Sequence, residues 1–281
     1  MHKFDSLNQT IEVYSYPAIS SNFVLYIEPN GDGKLWLATW GGGICLFDPK
    51  TGTSRTFIPN DERKDWINFN CVKGVLKDGD YLWVATHGNG INIYDIKKDC
   101  FYNAQNPSPL FPFNMSIPFW SNNIIKDSRG NYWMTTSFGL FMFDGRSLFS
   151  YFNNKQDTTS ISGSFISMVF EDKDSAIWVC TEGLDKFDYK TQTFKHLSSQ
   201  FELMPRSLKA IAQDKNGRYW VSSNKGLVCI EPKTGYFKHY LVEDGLQGNA
   251  FNNKSTLTTK AKSHLYQLAS RNIHLPCNCS K

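Results

Sequence analysis

The side chains in this sequence most able to do chemistry are acids that recur at a fixed distance from a glycine. Each lies five residues after the glycine, and the set is Asp48, Asp95, Asp144, Asp188 and Glu231. A glycosidase acid–base pair needs two carboxylates in unequal environments a few ångströms apart, and nothing marks such a pair. Copies at constant spacing instead indicate a repeated turn whose side chain accepts hydrogen bonds from backbone amides. We therefore expect no catalytic residue among them.

Other motifs that carry chemistry are absent or incomplete. The sequence has no G-x-S-x-G, H-E-x-x-H or G-x-x-x-x-G-K-[ST], which removes the hydrolase-elbow, zinc-protease and P-loop interpretations. The glycines at 41–43 precede another strand, whereas a phosphate cradle needs a helix N-terminus. Cys277, Cys279 and His274 are soft-metal ligand types but lack a fourth ligand. We expect neither a metal site nor a cofactor.

The charge distribution argues against nucleic-acid binding. The chain has 281 residues and a net charge of +4, but residues 245–281 contain five Lys or Arg and no acid. The preceding 244 residues therefore carry 25 basic and 26 acidic side chains. A nucleic-acid-binding segment is expected to show a basic patch or groove, which this balance does not support.

A repeat organises the whole chain. Five segments align on one tryptophan, with spacings of 47, 50, 45 and 42 residues: Trp36, Trp83, Trp133, Trp178 and Trp220. Each tryptophan is followed by the repeat glycine at Gly43, Gly90, Gly139, Gly183 or Gly226. This period is typical of the four-stranded blade of a β-propeller. A β-sandwich would explain alternating strands but not five copies in register.

Each repeat is interpreted as four strands, named A to D. Strand A is apolar, strand B carries the tryptophan, strand C runs from the glycine to the acid, and strand D is aromatic, as in QTFKHL from Gln192. Polar turns rich in Asp and Gly join A to B. The predicted fold class is therefore all-β, a β-propeller with five complete blades and partial blades at both ends.

The two ends of the chain break the repeat. KFDSLNQTIEVY from Lys3 aligns with KFDYKTQTFKHL from Lys186, so the chain opens within a blade. Because unpaired strand edges favour aggregation, either the partial ends join as one mixed blade or the natural chain continues on both sides. We expect the tail, 258–281, to be disordered or an artefact of truncation. The predicted segments are a propeller over 1–257, a partial blade at 1–20, blades at about 21–60, 68–105, 121–155, 162–198 and 206–242, and the start of another at 243–257.

Cysteine usage and hydropathy bear on the compartment. Of the seven cysteines, we interpret Cys45, Cys71, Cys100, Cys180 and Cys229 mostly as small core residues. No apolar run is long enough to cross a membrane, and the N-terminus lacks the apolar core of a signal peptide. The protein is therefore either cytoplasmic or a piece of a longer exported chain.

These repeats resemble the two-component regulator propeller repeat. The resemblance covers about residues 3–257, and its specific marks are the D-x-x-G-x-x-W-[VLM]-x-[ST] pattern from Asp127 and Asp214, Thr181–Leu184, SNN at Ser121–Asn123, and DGLQGNAFN from Asp244. The family's members are periplasmic sensor regions of hybrid two-component systems in gut Bacteroides and their relatives. Seven-bladed propellers are usual there, so five complete blades is a departure.

The resemblance implies a function for the piece and for the missing remainder. It implies a non-catalytic segment that senses glycan-derived oligosaccharides to control gene expression, in a periplasmic part of an inner-membrane protein. Histidine kinase activity and membrane attachment would lie in the missing regions. Some ligands in the family bind at propeller or dimer contacts, so a homodimer of the full-length protein is a further expectation.

Loop lengths suggest where a ligand would bind. The D–A crossovers are long and variable, and they share one end of the blades with the B–C turns. The position four after each repeat tryptophan also varies there. Aromatic and polar side chains could contact a sugar ring, although Trp66 and Trp120 would equally pin their loops to the sheet. The candidate ligand-binding residues are Trp40, Trp66, His87, Trp120, Glu182 and Asn224.

Two other functions stay open at this stage. One is a protein-interaction scaffold with no small ligand. The other is a propeller lyase that opens cyclic lactone antibiotics, because such lyases carry similar Trp and Gly repeats. A lyase would need a His pair near a metal, and the sequence places only His87 on the favoured end.

Overall fold

The computed structural model describes residues 1–5, 7–116, 121–197, 201, 204–253, 256–258 and 263–265. Within them the chain is almost entirely β-strand, with one short 3₁₀ helix at Val242–Asp244. It divides into two compact units. Unit 1 comprises 1–126, 131–134 and 142–148, and unit 2 comprises 127–130, 135–141 and the chain from 149 onward.

Five four-stranded antiparallel sheets account for most of the strands, and in each the strands follow one another in chain order. Two-stranded pairs lie at the ends: β1 (His2–Asp5) with β2 (Thr10–Val13), and β23 (Thr256–Thr258) with β24 (Ser263–Leu265). Sheet I consists of β3 (Val24–Pro29), β4 (Leu35–Thr39), β5 (Ile44–Asp48) and β6 (Thr53–Phe57). Sheet II consists of β7 (Val72–Asp78), β8 (Tyr81–Thr86), β9 (Ile91–Asp95) and β10 (Cys100–Tyr102). Both sheets belong to unit 1.

The remaining sheets continue the same pattern. Sheet III consists of β11 (Ser121–Lys126), β12 (Tyr132–Thr136), β13 (Leu140–Phe143) and β14 (Leu148–Tyr151), and the boundary between the units falls within it. Sheet IV consists of β15 (Met168–Glu171), β16 (Ile177–Cys180), β17 (Leu184–Asp188) and β18 (Thr193–His196). Sheet V consists of β19 (Leu208–Gln213), β20 (Tyr219–Ser223), β21 (Gly226–Glu231) and β22 (Tyr236–Tyr240). Sheets IV and V belong to unit 2.

The sheets have the A-to-D order predicted from the repeat. Each begins with the apolar strand, and the tryptophan strand pairs with its neighbours on both sides, as Trp36 does with Glu28 and Leu46. The N-terminal pair β1–β2 is the predicted C–D half of a blade. Of the predicted tail, the structure describes 258, at the end of β23, and 263–265, which form β24. Residues 259–262 and 266–281 lie outside the described residues.

Within each unit the core lies between successive sheets. In unit 1, Trp36 and Phe57 of sheet I share one buried cluster with Val75 and Leu82 of sheet II. In unit 2, Trp178 and Leu184 of sheet IV share another with Ile211 of sheet V. Apolar side chains on facing sheets bury one another, which is the dominant favourable contribution to folding. Three of the five described cysteines, Cys45, Cys180 and Cys229, are buried, whereas Cys71 and Cys100 are half-buried.

A tyrosine before the next tryptophan adds a polar link between sheets. In unit 2 the Tyr219 ring lies 4.8 Å from the Trp178 ring, and both side chains donate hydrogen bonds to Asp172, at 2.6 Å and 2.7 Å. In unit 1 the hydroxyl of Tyr132 donates to Asp78 in the same way. The carboxylate gives the buried tyrosine hydroxyl and indole N–H a hydrogen-bond acceptor, which they would otherwise lack.

Candidate functional site

The repeated acids hold turns, as predicted. The Asp48, Asp95, Asp144 and Asp188 carboxylates accept hydrogen bonds from backbone amides two or three residues later, at 2.7–3.1 Å. Glu231 differs, because its carboxylate accepts from the Thr234 hydroxyl at 2.6 Å. In all five cases the acid closes the C–D turn.

The B–C turns are closed by a hydroxyl whose role the sequence did not reveal. The residue three after each tryptophan donates its hydroxyl to the carbonyl of the repeat glycine, at 2.6–3.2 Å: Thr39, Thr86, Thr136, Thr181 and Ser223. The glycine itself packs against strand D. A Cβ on Gly43 or Gly226 would lie 2.1 Å or 2.5 Å from a strand-D carbonyl oxygen, and both have positive φ, so these positions require glycine.

Of the predicted ligand-binding residues, Trp40 and His87 lie in contact. Both belong to unit 1 and occupy the position four after a repeat tryptophan, and their ring centroids are 4.8 Å apart. Trp40 is 42% exposed. Burial lowers the pKa of His87, and the charge of Lys73 lowers it further. The pair is thus an aromatic contact between an exposed Trp40 and a half-buried His87 on the B–C turns of sheets I and II.

Trp66 packs onto the sheet, as the structural interpretation of that residue expected. Its ring lies 5.5 Å from both Phe57 and Phe101, and the Arg63 guanidinium covers it at 3.9 Å. It also borders a cavity of about 410 Å³ formed by the crossover between sheets I and II. Trp120 lies outside the described residues.

The last two predicted residues, Glu182 and Asn224, are exposed in unit 2. Glu182 borders a cavity of about 570 Å³. The crossovers on either side of sheet IV and the B–C turn of that sheet form this cavity, whose described lining is Asn153, Asn154, Lys155, Asp157, Thr158, Ser160, Ile161, Ser162, Glu182, Gly183, His196, Phe201, Met204, Pro205 and Arg206.

A buried carboxylate stands behind the wall of this cavity. Asp185 on β17 is fully buried, and its Oδ1 lies 2.7 Å from Nδ1 of His196 on the paired strand β18. Its Oδ2 accepts hydrogen bonds from the backbone N–H of Ser162 at 2.8 Å and from the Ser162 hydroxyl at 2.7 Å. His196 is 24% exposed and lines the cavity.

Burial and bonding act in opposite directions on this carboxyl group. Burial raises the pKa of Asp185, and the hydrogen bonds from His196 and Ser162 oppose the rise without cancelling it. Asp172, directly after β15, shows the other outcome. Burial raises its pKa too, but the hydrogen bonds from Tyr219 and Trp178 outweigh burial and hold the pKa below its ordinary value. Asp185 is therefore the costlier charge to bury.

Ser162, His196 and Asp185 have the residue types of a nucleophilic triad but not its geometry. In such a triad the imidazole accepts the serine proton, and the carboxylate orients the imidazole. Here the Ser162 hydroxyl is bonded to Asp185 and Thr181, at 2.7 Å and 2.6 Å. The imidazole bonds to the other oxygen of the same carboxylate, so the serine hydroxyl and the imidazole each bond to Asp185 and no bond joins them to each other. The arrangement suits hydrogen bonding to a ligand rather than nucleophilic attack.

The structure corrects one expectation about the histidines. His196 lies at the end of sheet IV that carries the B–C turn, so His87 is not alone at that end of the blades.

Among the described residues, no cluster of three or more His, Cys, Asp or Glu side chains has the arrangement of a metal site. The part of the chain that the structure covers also contains no helix with the length and apolarity of a membrane span.

A signal for Asp185 is present in the sequence, outside the loops and the aromatic residues. The position two after the repeat glycine carries Cys45, Asn92, Phe141, Asp185 and Val228, so a charged side chain occurs in one repeat of the five. A charge on the middle of a strand whose copies are mainly apolar indicates burial with a partner. The partner follows only from the hairpin register.

Comparison with known proteins agrees with this architecture. No family model matches the chain. A histidine kinase of Formosa agariphila, "Histidine kinase P4", is 29% identical over 241 residues, which is 80% of this chain and 17% of that protein.

Two solved structures from B. thetaiotaomicron show the same fold. The extracellular domain of the putative hybrid two-component system BT3049 has a TM-score of 0.72 at 17% identity, over 94% of this chain and 35% of that one. The extracellular domain of the putative system BT4673 has a TM-score of 0.68 at 21% identity, over 92% and 35%. This chain therefore has the β-propeller fold predicted from its repeats and is similar, over most of its length, to a small part of a histidine kinase.

Proposed function

We propose that this chain is a non-catalytic, ligand-sensing propeller segment of a hybrid two-component signalling protein. The observation that carries the proposal is its similarity to a histidine kinase over 80% of its length. The chain spans 17% of that relative, so kinase activity and membrane attachment are assigned to other parts of the longer protein. A propeller segment in such a protein is suited to binding a ligand and transmitting the signal to the rest of the protein.

The proposal extends to compartment and ligand. We assign the segment to the periplasm, as part of an inner-membrane protein, and glycan-derived oligosaccharides as its ligands. The cavity in unit 2 supports the assignment of a small polar ligand, because its volume of about 570 Å³ lies within the range of ligand sites. Its lining is rich in hydroxyl, amide and charged side chains that can bond to sugar hydroxyls. A homodimer of the full-length protein belongs to the same proposal.

Calorimetric titration of the 281-residue chain against a broad panel of oligosaccharides tests the proposal. The panel includes neutral, uronic and sulfated sugars of several linkage types. We expect saturable heat with one sugar class and none with the others. Silence across the panel would reject oligosaccharide sensing and favour a scaffold that docks a protein.

A further inference from the structure

The Asp185–His196 pair is not required by the scaffold. The equivalent strand-C position carries Cys45 in sheet I and Val228 in sheet V, and both are fully buried. A buried ion pair is often no more stabilising than well-packed apolar residues of similar volume. The repeat therefore folds without the charge, and the pair in sheet IV needs another explanation.

The pair fixes an imidazole at the wall of a cavity. The Asp185 oxygens are held by three donors, the Ser162 N–H, the Ser162 hydroxyl and the His196 ring, all at 2.7–2.8 Å. A ring anchored through Nδ1 has a defined orientation, which lowers the entropy lost when it contacts a ligand. His196 itself lines the cavity.

The charges of the described lining residues balance. Lys155 and Arg206 are matched by Asp157 and Glu182. A cavity with many polar groups and no excess of charge is suited to a neutral ligand with many hydroxyl groups, and offers nothing extra to an anionic or cationic one.

The cavity also has an apolar side. Phe201, Met204 and Pro205, from the crossover after sheet IV, are buried and border it. Sugars have apolar C–H faces as well as hydroxyl edges, so a site for them combines an apolar surface with a few placed polar groups. Both surfaces meet here within one unit of the chain.

We propose that this cavity binds an uncharged oligosaccharide, with His196 hydrogen-bonding to a sugar hydroxyl and Glu182 contacting the ligand at the rim. The inference rests on the proposed sensing function and adds to it the site and the charge class of the ligand. It also assigns a positioning role to Asp185, which acts through His196 rather than by touching the sugar.

Calorimetry on single variants tests the site with the neutral sugar that binds best. His196→Gln is expected to raise Kd at least tenfold, and Glu182→Gln several-fold. The matched control is His239→Gln, because His239 occupies the same strand-D position in sheet V, opposite Val228, and bonds to the Lys225 carbonyl. We expect it to change Kd less than twofold. Glu182 is exposed, so its variant keeps the test valid if His196→Gln is poorly folded.

The outcomes separate the site from the function. Saturable binding of a neutral sugar that both His196→Gln and Glu182→Gln leave unchanged would place the ligand elsewhere and overturn this inference, while sensing would stand. Binding of acidic sugars alone would overturn the charge class. A wild-type chain that binds no oligosaccharide would reject the proposed function and the inference together.

Discussion

Sheets II and IV both anchor the preceding crossover to strand C, but with side chains of different charge. In both, a buried polar side chain two residues after the repeat glycine accepts a backbone N–H from the preceding crossover. Asn92 accepts from Asn68 at 3.1 Å, and Asp185 accepts from Ser162 at 2.8 Å. A second side chain completes each cluster: Asn103, directly after strand D, beside Asn92, and His196 of strand D beside Asp185.

The difference lies in charge. The Asn92 cluster is neutral and closed on itself, since its amide also donates to the Asn68 side chain at 2.8 Å. The Asp185 cluster carries a buried carboxylate and presents an imidazole to a cavity. The neutral version shows that pinning a crossover needs only amides. The charged version therefore adds something that the pinning role does not demand.

Removing the buried acceptor should separate the two clusters most clearly. Asp185→Ala leaves His196 and two Ser162 donors without their acceptor, and the loss of hydrogen bonds to a charged group costs about 1.5–3 kcal/mol for each bond. Asn92→Ala leaves neutral donors behind, at a cost of about 1–3 kcal/mol. Urea titration of the free energy of unfolding measures both. An Asn92→Ala loss equal to or above that of Asp185→Ala would contradict the assignment of a charged acceptor to sheet IV.

Replacing the crossover residue Ser162 should lower the free energy of unfolding less than Asp185→Ala does. Unlike the loss in sheet II, this loss should depend on pH. Ser162→Ala removes the hydrogen bond of the hydroxyl to the carboxylate, a loss of about 2 kcal/mol, together with its contact with Thr181, and keeps the backbone N–H. The loss should shrink below the pKa of Asp185, because the hydroxyl stabilises the charged form. Asn68→Ala is the control in sheet II, with a loss of about 1 kcal/mol and no change with pH in the same range. Parallel pH profiles for the two variants would be inconsistent with an ionised Asp185.

Much of this molecule follows from its sequence. The tryptophan spacing, the repeat glycine and the turn acids predicted five four-stranded sheets and a half-blade at the N-terminus, and each was found. The reason is that repeats average out local ambiguity: a signal that is weak in one copy is confirmed by the other four. Gly43 and Gly226 recur because their backbone leaves no room for a side chain.

The candidate site could be predicted only in part. Glu182 was predicted as a candidate because its position varies between repeats, and it borders the cavity. Asp185 and His196 lie 11 residues apart and meet only through the register of one hairpin. The cavity is formed by crossovers that share no pattern with their counterparts, so no repeat predicts its shape. Trp66 illustrates the converse: aromatic character suggested a ligand contact, whereas packing against Phe57 and Phe101 decides its position.

Converting sheet IV to the chemistry of sheet II should have the smallest effect at neutral pH. In Asp185→Asn the amide oxygen can accept the Ser162 N–H while the amide NH₂ donates to His196 in its other tautomer, as the amide of Asn92 accepts and donates in sheet II. Such an exchange keeps the bonding groups paired, so we expect a change in the free energy of unfolding of less than about 1 kcal/mol.

The difference in stability between the wild type and Asp185→Asn should depend on pH. Burial raises the pKa of Asp185 above its ordinary value of 3.8, so the folded protein holds this proton more tightly than the unfolded chain does. The resulting stabilisation is complete below pH 3.8 and is lost as the pH rises through the raised pKa. The stability of the wild type relative to Asp185→Asn should therefore fall across that window and then level off. If the stability of the wild type relative to Asp185→Asn instead grows with pH, the hydrogen bonds from His196 and Ser162 outweigh the effect of burial on the carboxylate. The charged form of Asp185 would then stabilise the folded protein.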